Sequence, residues 1–314
     1  MQVVILSKRG WHADELCRAL NARGHTGCVL PYEALIARMS AGATRSSGLS
    51  CDETALLEAD AVLARFIPAG SLEQIIYRVD ALHWIEDHGV PVINSPRAIE
   101  RSVDKFFADA RLREAGLPTP ETFVGERVED AMAAARRMLD RRVPGEGEPA
   151  IVIKPIFGSM GHGIVRIADP DVAFRVLQAL DRTRPVFYIQ HVVDSGNRDV
   201  RAFVVGGRVV GAIERSAGRG DWRTNVSRGG TARPFELPAE WTSLALRAAA
   251  AIGADYAGVD LLPSRDGTVF VLEVNGIPGW QGLQRATGMD VAGTIVDHVA
   301  DRVRSPRLGA AVAT

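Results

Sequence analysis

The sequence predicts a mixed α/β (α+β) fold, in which a small parallel α/β lobe precedes two α+β units. Over residues 1–95, short apolar runs alternate with helical patterns, as they do in βαβ units that build a parallel sheet. Over 150–191, two apolar runs flank a glycine-rich loop and a third follows a helix, which predicts a compact α+β unit. Over 257–275, two apolar runs are joined by a turn containing Pro, Asp and Gly, which predicts a hairpin.

The N-terminal lobe is predicted to contain four strands separated by helices and loops. Its first helix continues to Gly24, which suits a helix C-cap because glycine adopts left-handed backbone angles readily. Residues 39–55 are small and polar and are predicted to form a mobile loop. The strand candidates are VVILS (3–7), GCVLP (27–31), DAVLARF (60–66) and VPVIN (90–94).

The rest of the chain is predicted to form two further units and a tail. The two prolines of LPTPET (117–122) end a helical stretch that begins at residue 95. Further helices are predicted at 128–142, 171–182, 240–252 and 289–303. The predicted domains are 1–95, 96–190 and 191–304, followed by a frayed tail at 305–314.

The composition excludes some classes of partner. A net charge of −1 creates no overall field toward nucleic acid or an acidic membrane. No stretch of the sequence is long and apolar enough to span a bilayer. The three cysteines, Cys17, Cys28 and Cys51, are odd in number and lack metal-ligand spacing, which favours a reducing compartment over a disulfide framework. We therefore expect a cytoplasmic protein without nucleic-acid or membrane partners.

Three oxygen-bearing side chains lie on the predicted hairpin. Glu273 and Asn275 are two residues apart on its second strand and therefore face the same side, and an antiparallel partner strand can bring Asp260 beside them. Acidic residues near hairpins are commonly only solvated, but polar groups that interrupt an apolar run are costly when unpaired. Carboxylate and amide oxygens suit Mg²⁺, which completes its coordination with substrate phosphates. The hairpin therefore predicts a site for a metal nucleotide.

A lysine and a glycine-rich loop form a second signal, in IVIKPIFGSMGHGIV (151–165). Lys154 ends a β-branched run, and Gly158, Gly161 and Gly163 allow backbone N–H groups to approach phosphate oxygens closely. The loop lacks the GK[ST] of a P-loop, and it leads into an apolar run, not into the helix of a dinucleotide fingerprint. Because lysine is rarely buried without a partner, the motif predicts a phosphate-binding lysine under a glycine loop.

The other charged positions are less specific. Lys105, on an amphipathic helix, reads alone as a solvated lysine, and Asp199 and Arg201 read as an ion pair on one strand face. The segment 211–234 interleaves arginine with glycine, which is compatible with a nucleic-acid loop or with anion binding in an active site. The lack of a wider basic excess favours anion binding. Its arginines are Arg215, Arg219, Arg223, Arg228 and Arg233.

Together these motifs resemble the ATP-grasp carboxylate–amine ligases, and most closely the RimK-type α-L-glutamate ligases. The matching segments cover 104–290 in the family's order, and the N-terminal lobe is similar to the family's preceding domain. The closing PGWQGLQ is most similar to the branch that adds α-linked glutamate to tetrahydromethanopterin-type coenzymes. Sister branches act on a ribosomal protein, a deazaflavin coenzyme or amino-acid carrier proteins. The matching motifs are DKFFADARLREAGLPTPET, IVIKPIFGSMGHGI, RDVRAFVVGGRVVGAIER, GDWRTNVSRGG, AGVDLL and VLEVNGIPGWQGLQRATG.

The resemblance implies an ATP-grasp fold with ATP and two Mg²⁺ or Mn²⁺ ions as cofactors. It implies that Asp260, Glu273 and Asn275 bind the ions, with Glu273 bridging them. Arg223 and Asn225 would act with Lys154 as catalytic residues that reach the phosphates and the reacting carboxylate. Arg65 and Arg228 are candidates for holding a substrate carboxylate. The implied nucleotide-binding residues are Lys105, Lys154, Gly158, Ser159, Gly161, Gly163, Gln190, His191, Asp199 and Arg223.

The implied nucleotide site includes one departure from the family. Backbone groups of Gln190 and His191 would read the adenine edge, and Asp199 would lie at the ribose side. Related enzymes usually have an acidic residue where His191 stands, so the resemblance supports backbone recognition of the base and not a side-chain contact. The alternative for His191 is a solvent-facing strand histidine without a role.

The implied reaction transfers the γ-phosphoryl group of ATP to a carboxylate, and the amine of L-glutamate then attacks the acylphosphate. The expected acceptor is a small molecule, a pterin or furan coenzyme of one-carbon metabolism, which Trp11, Trp222 and Trp280 near the motifs favour. Glutamylation of a protein C-terminus or carrier protein is the alternative acceptor. A non-catalytic ATP-binding module is an alternative of another class. Because the relatives associate, we also expect a homo-oligomer, a dimer or tetramer.

Overall fold

The computed structural model describes residues 1–39, 48–141, 147–158, 163–218 and 230–305. Within these ranges the strands form a parallel sheet, two larger antiparallel sheets and one small antiparallel sheet, which confirms the predicted fold class. No helix in the same ranges combines the length and the apolar character that crossing a bilayer requires.

The N-terminal lobe is built on a four-stranded parallel sheet. Its elements are, in chain order, β1 (Gln2–Leu6), α1 (Trp11–Asn21), β2 (Thr26–Leu30), β3 (Leu35–Arg38), β4 (Gly48–Cys51), β5 (Thr54–Ala55), β6 (Ala61–Ala64), α2 (Leu72–Asp87) and β7 (Val92–Ile93). The order in the parallel sheet is β2-β1-β6-β7. All four residues of β6 are buried, because helices cover both faces of the sheet.

The predicted mobile loop over 39–55 is partly wrong. Strands β3, β4 and β5 form a small antiparallel sheet, with Leu35 opposite Cys51. In β4, Leu49 and Cys51 are buried while their neighbours are partly exposed, which is the alternation of a half-buried strand. Small and polar neighbours concealed this alternation in the sequence. Residues 40–47 lie outside the described ranges.

The central unit is an antiparallel sheet backed by two helices. Its elements are α3 (Pro96–Val103), α4 (Lys105–Glu114), β8 (Thr122–Gly125), α5 (Val128–Asp140), β9 (Ile151–Lys154), β10 (Val165–Ile167), α6 (Pro170–Asp181) and β11 (Phe187–His191). The sheet order is β10-β9-β11-β8, and α5 and α6 pack on one face. The stretch predicted as one helix is divided at Asp104, whose extended backbone ends α3 and whose carboxylate caps α4 by accepting from the Phe107 N–H.

The C-terminal unit contains a five-stranded antiparallel sheet. Its elements are β12 (Arg198–Val205), β13 (Arg208–Ser216), β14 (Thr231–Pro234), α7 (Ala239–Ile252), β15 (Tyr256–Pro263), β16 (Val269–Asn275), α8 (Gln281–Thr287) and α9 (Val291–Arg304). The order is β14-β13-β12-β15-β16. On β12, Val200, Ala202 and Val204 pack toward α7, so the alternating residues Asp199 and Arg201 face the opposite side.

One apolar core joins the N-terminal lobe to the C-terminal unit. It contains residues of β1 and α1 together with Phe203, Trp280 and the buried face of α9. The parallel sheet lies within the predicted domain 1–95 and the five-stranded sheet within 191–304, while the central sheet extends one residue past 190, to His191 of β11. Because α9 packs against α1, the C-terminal unit and the N-terminal lobe share their packing, and the exact domain boundaries stay predictions.

A buried asparagine ties the same two units together. Asn94 is fully buried, and its amide nitrogen donates to the carbonyls of Tyr256 (2.8 Å) and Gly276 (2.5 Å). Its side-chain oxygen accepts from the N–H groups of Asp255 (2.6 Å) and Tyr256 (3.0 Å). This one side chain therefore satisfies backbone groups at the start of β15 and just after β16.

Replacing Asn94 by alanine is expected to destabilise the protein strongly. The change leaves four backbone bonds of the β15–β16 region unmade inside the core, and each unsatisfied buried group costs about 1–3 kcal/mol. We expect the free energy of unfolding to fall by about 3 kcal/mol or more, measured by urea denaturation. The exposed Asn21→Ala is the control, and equal losses in the two variants would contradict the role of Asn94.

Candidate active site

A cleft of about 2250 Å³ lies between the three units. Its walls come from the uncovered side of the central sheet, the Asp199 face of the C-terminal sheet, and the N-terminal lobe around α2. Ten of the residues predicted from the sequence line this cleft: Arg65, Lys105, Lys154, Gly158, Gln190, His191, Asp199, Asp260, Glu273 and Asn275. Gly163 is described but is not among the lining residues. Ser159, Gly161, Arg223, Asn225 and Arg228 lie outside the described ranges.

The predicted hairpin brings its three oxygen donors together. Strands β15 and β16 pair antiparallel, with Asp260 opposite Glu273 and Gly258 opposite Asn275. The turn is closed by the Ser264 N–H, which donates to the Thr268 carbonyl at 2.8 Å. The register shifts by one residue just after Asp260, a bulge that leaves Leu272 unpaired beside Glu273. All three donors line the cleft.

Two arginines hold Asp260. The Nε and Nη2 atoms of Arg201 donate to its two carboxylate oxygens, each at 2.6 Å, and Arg215 Nη2 lies 2.9 Å from Oδ2. Burial would raise the pKa of Asp260, but the positive charges and hydrogen bonds of Arg201 and Arg215 outweigh it and lower the pKa to about 2. Asp260 is therefore a fixed anion at neutral pH.

The trio fits a divalent cation that also binds a nucleotide. Arg201 and Arg215 occupy both positions on Oδ2 of Asp260 but only one on Oδ1, which leaves that oxygen one acceptor position. Asn275 Oδ1 accepts from the Ile277 N–H at 2.9 Å, which fixes the amide and also leaves an acceptor position. Across the described ranges, no cluster of three or more His, Cys, Asp or Glu is arranged for a metal. A cation here would therefore depend on Asn275 and on phosphate oxygens.

Lys154 lies at the end of β9 and reaches into the cleft. Its Nζ donates to the side-chain oxygen of Gln190 at 2.9 Å and lies 5.0 Å from the centre of the Tyr188 ring. Burial lowers the pKa of Lys154 to about 8; the charge of Glu273 opposes this and Lys105 adds to it. Lys154 has no carboxylate within ion-pair distance among the described residues, so it is a cation available to an anionic ligand.

Lys105 joins the first turn of α4 to the glycine loop. Its Nζ donates to the carbonyls of Ile156 (3.0 Å) and Gly158 (2.9 Å), just after β9. Burial lowers its pKa, and the nearby charge of Glu273 opposes that shift. Gly158 and Gly163 both have positive φ angles, 149° and 70°, that side chains rarely adopt. Glycine is therefore suited to both described ends of the loop, because other residues rarely adopt these backbone conformations.

The predicted base-reading strand is β11, one of the two inner strands of the central sheet. The Gln190 side chain bridges Lys154 and Thr122, because its nitrogen donates to Thr122 Oγ1 at 3.0 Å. The His191 N–H donates to the Glu121 carbonyl at 2.9 Å. That N–H is therefore committed to the sheet, and a role of His191 in reading a base edge would have to use another of its groups.

The Asp199 carboxylate is bound by Arg215, which the sequence analysis named among the arginines of the 211–234 segment but did not pair with Asp199. Arg215 donates to both oxygens of Asp199, at 2.6 and 2.7 Å, and also contacts Asp260. The expected pairing of Asp199 with Arg201 is wrong, because Asp199 lies opposite Arg215 on β13 while Arg201 lies opposite Asp260 on β15. The sequence offered one signal for this pair: Arg215 is two residues after Ile213 on one strand, so the two side chains face the same side. Pairing Arg215 with Asp199 also required the register of β12 against β13.

Arg65 directly follows strand β6 of the N-terminal lobe and lines the cleft. It is buried, and it donates to the Tyr256 hydroxyl (3.0 Å) and the Pro278 carbonyl (3.1 Å) while its guanidinium lies 4.7 Å from the Trp280 ring centre. Among the described residues, no carboxylate lies within ion-pair distance of it. Burial and the Arg65 charge lower the pKa of the neighbouring His12 to about 4, so His12 is neutral at pH 7.

Trp11 and Trp280 do not line the cleft as the sequence suggested. Trp280 is 1% exposed and packs in the shared core against Trp11 and Phe203. Its ring packs against the Arg65 guanidinium and has almost no exposed surface for a ligand. Trp222 lies outside the described ranges. The exposed apolar side chains of the cleft are instead Phe66, Leu72, Ile76, Val103 and Phe157.

The sequence and the fold both match known proteins. Residues 102–299 match the RimK-like ATP-grasp domain. The tetrahydromethanopterin:alpha-L-glutamate ligase of Methanosarcina acetivorans is 33% identical over 325 residues, covering 95% of this chain and 97% of that protein. A probable alpha-L-glutamate ligase of Trichodesmium erythraeum is 32% identical over 312 residues, covering 98% of this chain and 99% of that protein. The structure of the ATP-grasp ligase PsnB with minimal precursor, Mg and ADP superposes on this chain with a TM-score of 0.72. The sequence identity is 21%, and the match covers 96% of this chain and 98% of PsnB.

The fold and the match define the class of protein. The chain belongs to the RimK-like ATP-grasp family, as its motifs indicated. It is an ATP-dependent ligase of that family. The likeness to PsnB, at 21% identity, supports the fold alone. The roles of individual cleft residues remain predictions.

Proposed function

We propose that this ligase joins L-glutamate through its amine to a carboxylate of a small acceptor, using ATP and Mg²⁺. The observation that carries the proposal is the meeting of Lys105, Lys154 and Glu273 in one cleft. The charge of Glu273 acts on the pKa of both lysines, so two phosphate-binding cations and a metal-binding anion lie close together. Its relatives are named alpha-L-glutamate ligases, which supports glutamate as the amine substrate.

In this proposal the cleft has a nucleotide end and an acceptor end. Lys105 and Lys154 bind the phosphates beneath the loop that begins at Gly158. Asp260, Glu273 and Asn275 hold Mg²⁺ with the phosphate oxygens, two ions being the finer expectation. The PsnB structure contains Mg and ADP, which supports this cofactor pair. The remaining assignments are Gly163, Gln190, His191 and Asp199 around the nucleotide, and Ser159, Gly161, Arg223, Asn225 and Arg228 on the segments outside the described ranges.

The proposed chemistry has two steps that balance without a further reactant. A carboxylate oxygen of the acceptor attacks the γ-phosphorus of ATP, the bond to ADP breaks, and an acylphosphate forms. The glutamate amine then attacks the carbonyl carbon, loses a proton, and inorganic phosphate leaves. Lys154 stabilises phosphate charge as it shifts, and a bound metal supplies further neutralisation of phosphate charge. Exclusion of water protects the acylphosphate from hydrolysis.

The acceptor end has chemistry suited to an apolar acid. Arg65 is a buried cation without a carboxylate partner among the described residues, and a buried unpaired charge is costly unless a ligand compensates it. Phe66, Leu72 and Ile76 expose apolar surface along the neighbouring wall. We therefore propose that Arg65 holds a carboxylate of a ring-containing coenzyme, and the name of the Methanosarcina relative supports a pterin.

Mass spectrometry of ligation products tests the proposal. The purified protein is incubated with ATP, Mg²⁺ and L-glutamate together with a pterin acid, a deazaflavin acid or a peptide ending in glutamate. ADP release and a glutamyl addition to a small-molecule acceptor are expected. Addition to the peptide alone would support the protein-acceptor alternative. ATP binding without product from any acceptor would contradict the ligase proposal and favour a non-catalytic nucleotide-binding module.

A further inference from the structure

We propose that Arg201 binds the reacting carboxylate of the acceptor, and that it does so by exchanging Asp260 for that carboxylate when a divalent cation binds Asp260. This inference rests on the proposed function, and it names a substrate-binding residue that the sequence motifs did not indicate. Arg201 lines the cleft beside Asp260, Glu273 and Asn275.

The geometry identifies Arg201 as the exchangeable partner of Asp260. Its side chain is 20% exposed toward the cleft, whereas those of Asp260 and Arg215 are each 6% exposed. Its side chain packs over Gly258: a Cβ at that position would be in ordinary contact with Cδ and Nε of Arg201, at 3.5 Å, and its tightest neighbour would be Pro278 Cβ, at 3.1 Å. Arg201 therefore lies flat across β15 with its guanidinium at the cleft surface.

Arg215 differs from Arg201 in its other contacts. Arg215 is bound to Asp199 through two hydrogen bonds as well as to Asp260. It keeps a carboxylate partner whatever happens at Asp260. For Arg201, Asp260 is the single carboxylate within ion-pair distance in the described part of the chain. Only Arg201 loses its counter-charge if Asp260 turns to a metal.

The balance of charge then requires an anion beside Arg201. A divalent cation on Asp260 would lie within about 5 Å of the guanidinium, where Coulomb repulsion is about 1.7 kcal/mol even at the dielectric constant of water and larger in a cleft. A carboxylate between them relieves this repulsion, because a guanidinium fork matches a carboxylate with two parallel bonds. The reacting carboxylate must itself lie near the phosphates that the metal binds, so it is the anion that fits this position.

The two possible roles of Arg201 predict opposite changes in metal affinity. If Arg201 competes with the cation for Asp260, then Arg201→Gln removes a positive charge and should bind Mn²⁺ about tenfold more tightly. If Arg201 only orients Asp260 as a metal ligand, the same change should weaken Mn²⁺ binding about 10- to 100-fold. Arg201→Lys keeps the charge, and on our proposal its Mn²⁺ affinity stays near that of the wild type.

The experiment compares wild type, Arg201→Gln, Arg201→Lys and Arg198→Gln. Arg198 is the control because it lies on the same strand, is half-exposed and pairs with Glu214. Free Mn²⁺ is titrated into each protein and followed by electron paramagnetic resonance. Steady-state kinetics then give KM for acceptor and for ATP. We expect Arg201→Gln to raise the acceptor KM about 10- to 100-fold with little change in the KM for ATP, and Arg201→Lys to recover part of the loss.

Weaker Mn²⁺ binding by Arg201→Gln, or an acceptor KM equal to that of Arg198→Gln, would overturn the proposal. If Arg201→Gln does not fold, Arg201→Lys decides: its acceptor KM should rise at unchanged Mn²⁺ affinity, and an unchanged KM overturns the exchange. The Mn²⁺ titration needs no turnover. A wild type that forms no product therefore contradicts the proposed function only. In that case tighter Mn²⁺ binding by Arg201→Gln still supports the competition for Asp260, and weaker binding contradicts it.

Discussion

Replacing Glu273 by glutamine is expected to lower kcat/KM by about 100- to 1000-fold or more while leaving the fold intact, an effect comparable to the loss of one preorganised electrostatic group at a reacting centre. Glutamine has nearly the same shape, so the pairing of β15 with β16 should persist. The lost charge is the one that faces both lysines of the cleft. The variant should therefore fail in metal-dependent turnover and in binding Mn²⁺ together with ADP.

The Glu273 prediction is checked by kinetics, by calorimetric titration of Mn²⁺ in the presence of ADP, and by thermal unfolding. Glu240→Gln is the control, because Glu240 lies exposed in the first turn of α7. We expect both variants to unfold within a few degrees of the wild type. Activity of the Glu273 variant near that of the control would remove Glu273 from the metal site.

Replacing Lys154 by alanine is expected to weaken ATP binding about 10- to 100-fold at pH 7, the value of losing a charge-assisted hydrogen bond. Because the pKa of Lys154 is about 8, the affinity for ATP should also depend on pH. In the free protein the amine is charged below about pH 8 and neutral above it. Bound phosphates favour the charged form, so ATP binding takes up a proton and the wild-type affinity should fall above pH 8, approaching tenfold per pH unit.

The Lys154 prediction is measured by ATP titrations between pH 7 and pH 9.5. Lys154→Arg is the informative comparison, because a guanidinium stays charged over this range and should remove the fall in affinity with pH. Lys8→Ala is the surface control, since Lys8 is largely exposed. An alanine variant with the wild-type affinity, or a wild-type affinity that is constant up to pH 9.5, would contradict the phosphate-binding role.

Local patterns in the sequence were sufficient for the hairpin and for Lys154. The period of two along a strand placed Glu273 and Asn275 on one face, and the turn residues set the pairing that brings Asp260 opposite Glu273. The small and polar stretch at 39–55 was misinterpreted as a loop, because β4 is stabilised by pairing with β3 and with β5 and by the burial of Leu49 and Cys51. Strand formation there depends on tertiary context.

The arginine partners of Asp260 could not be derived from local patterns. Arg201 and Asp260 are 59 positions apart, and their contact depends on which strands are neighbours and on the register of β12 against β15. A shift by one residue would turn Arg201 to the α7 side of the sheet and place Val200 beside Asp260. The burial of Arg65, which follows β6 of the N-terminal lobe, likewise depends on the packing of Trp280 and Tyr256 from the C-terminal unit.

The sequence by itself determined the chemistry that this protein carries: a lysine before a glycine loop, a trio of oxygen donors on a hairpin, and the family to which these motifs belong. Those features depend on residue type and on short-range spacing, which a strand or a turn converts directly into geometry. Only the tertiary structure decided how the charges are partnered, because ion pairs among Asp199, Arg201, Arg215 and Asp260 form across strands brought together by the whole sheet.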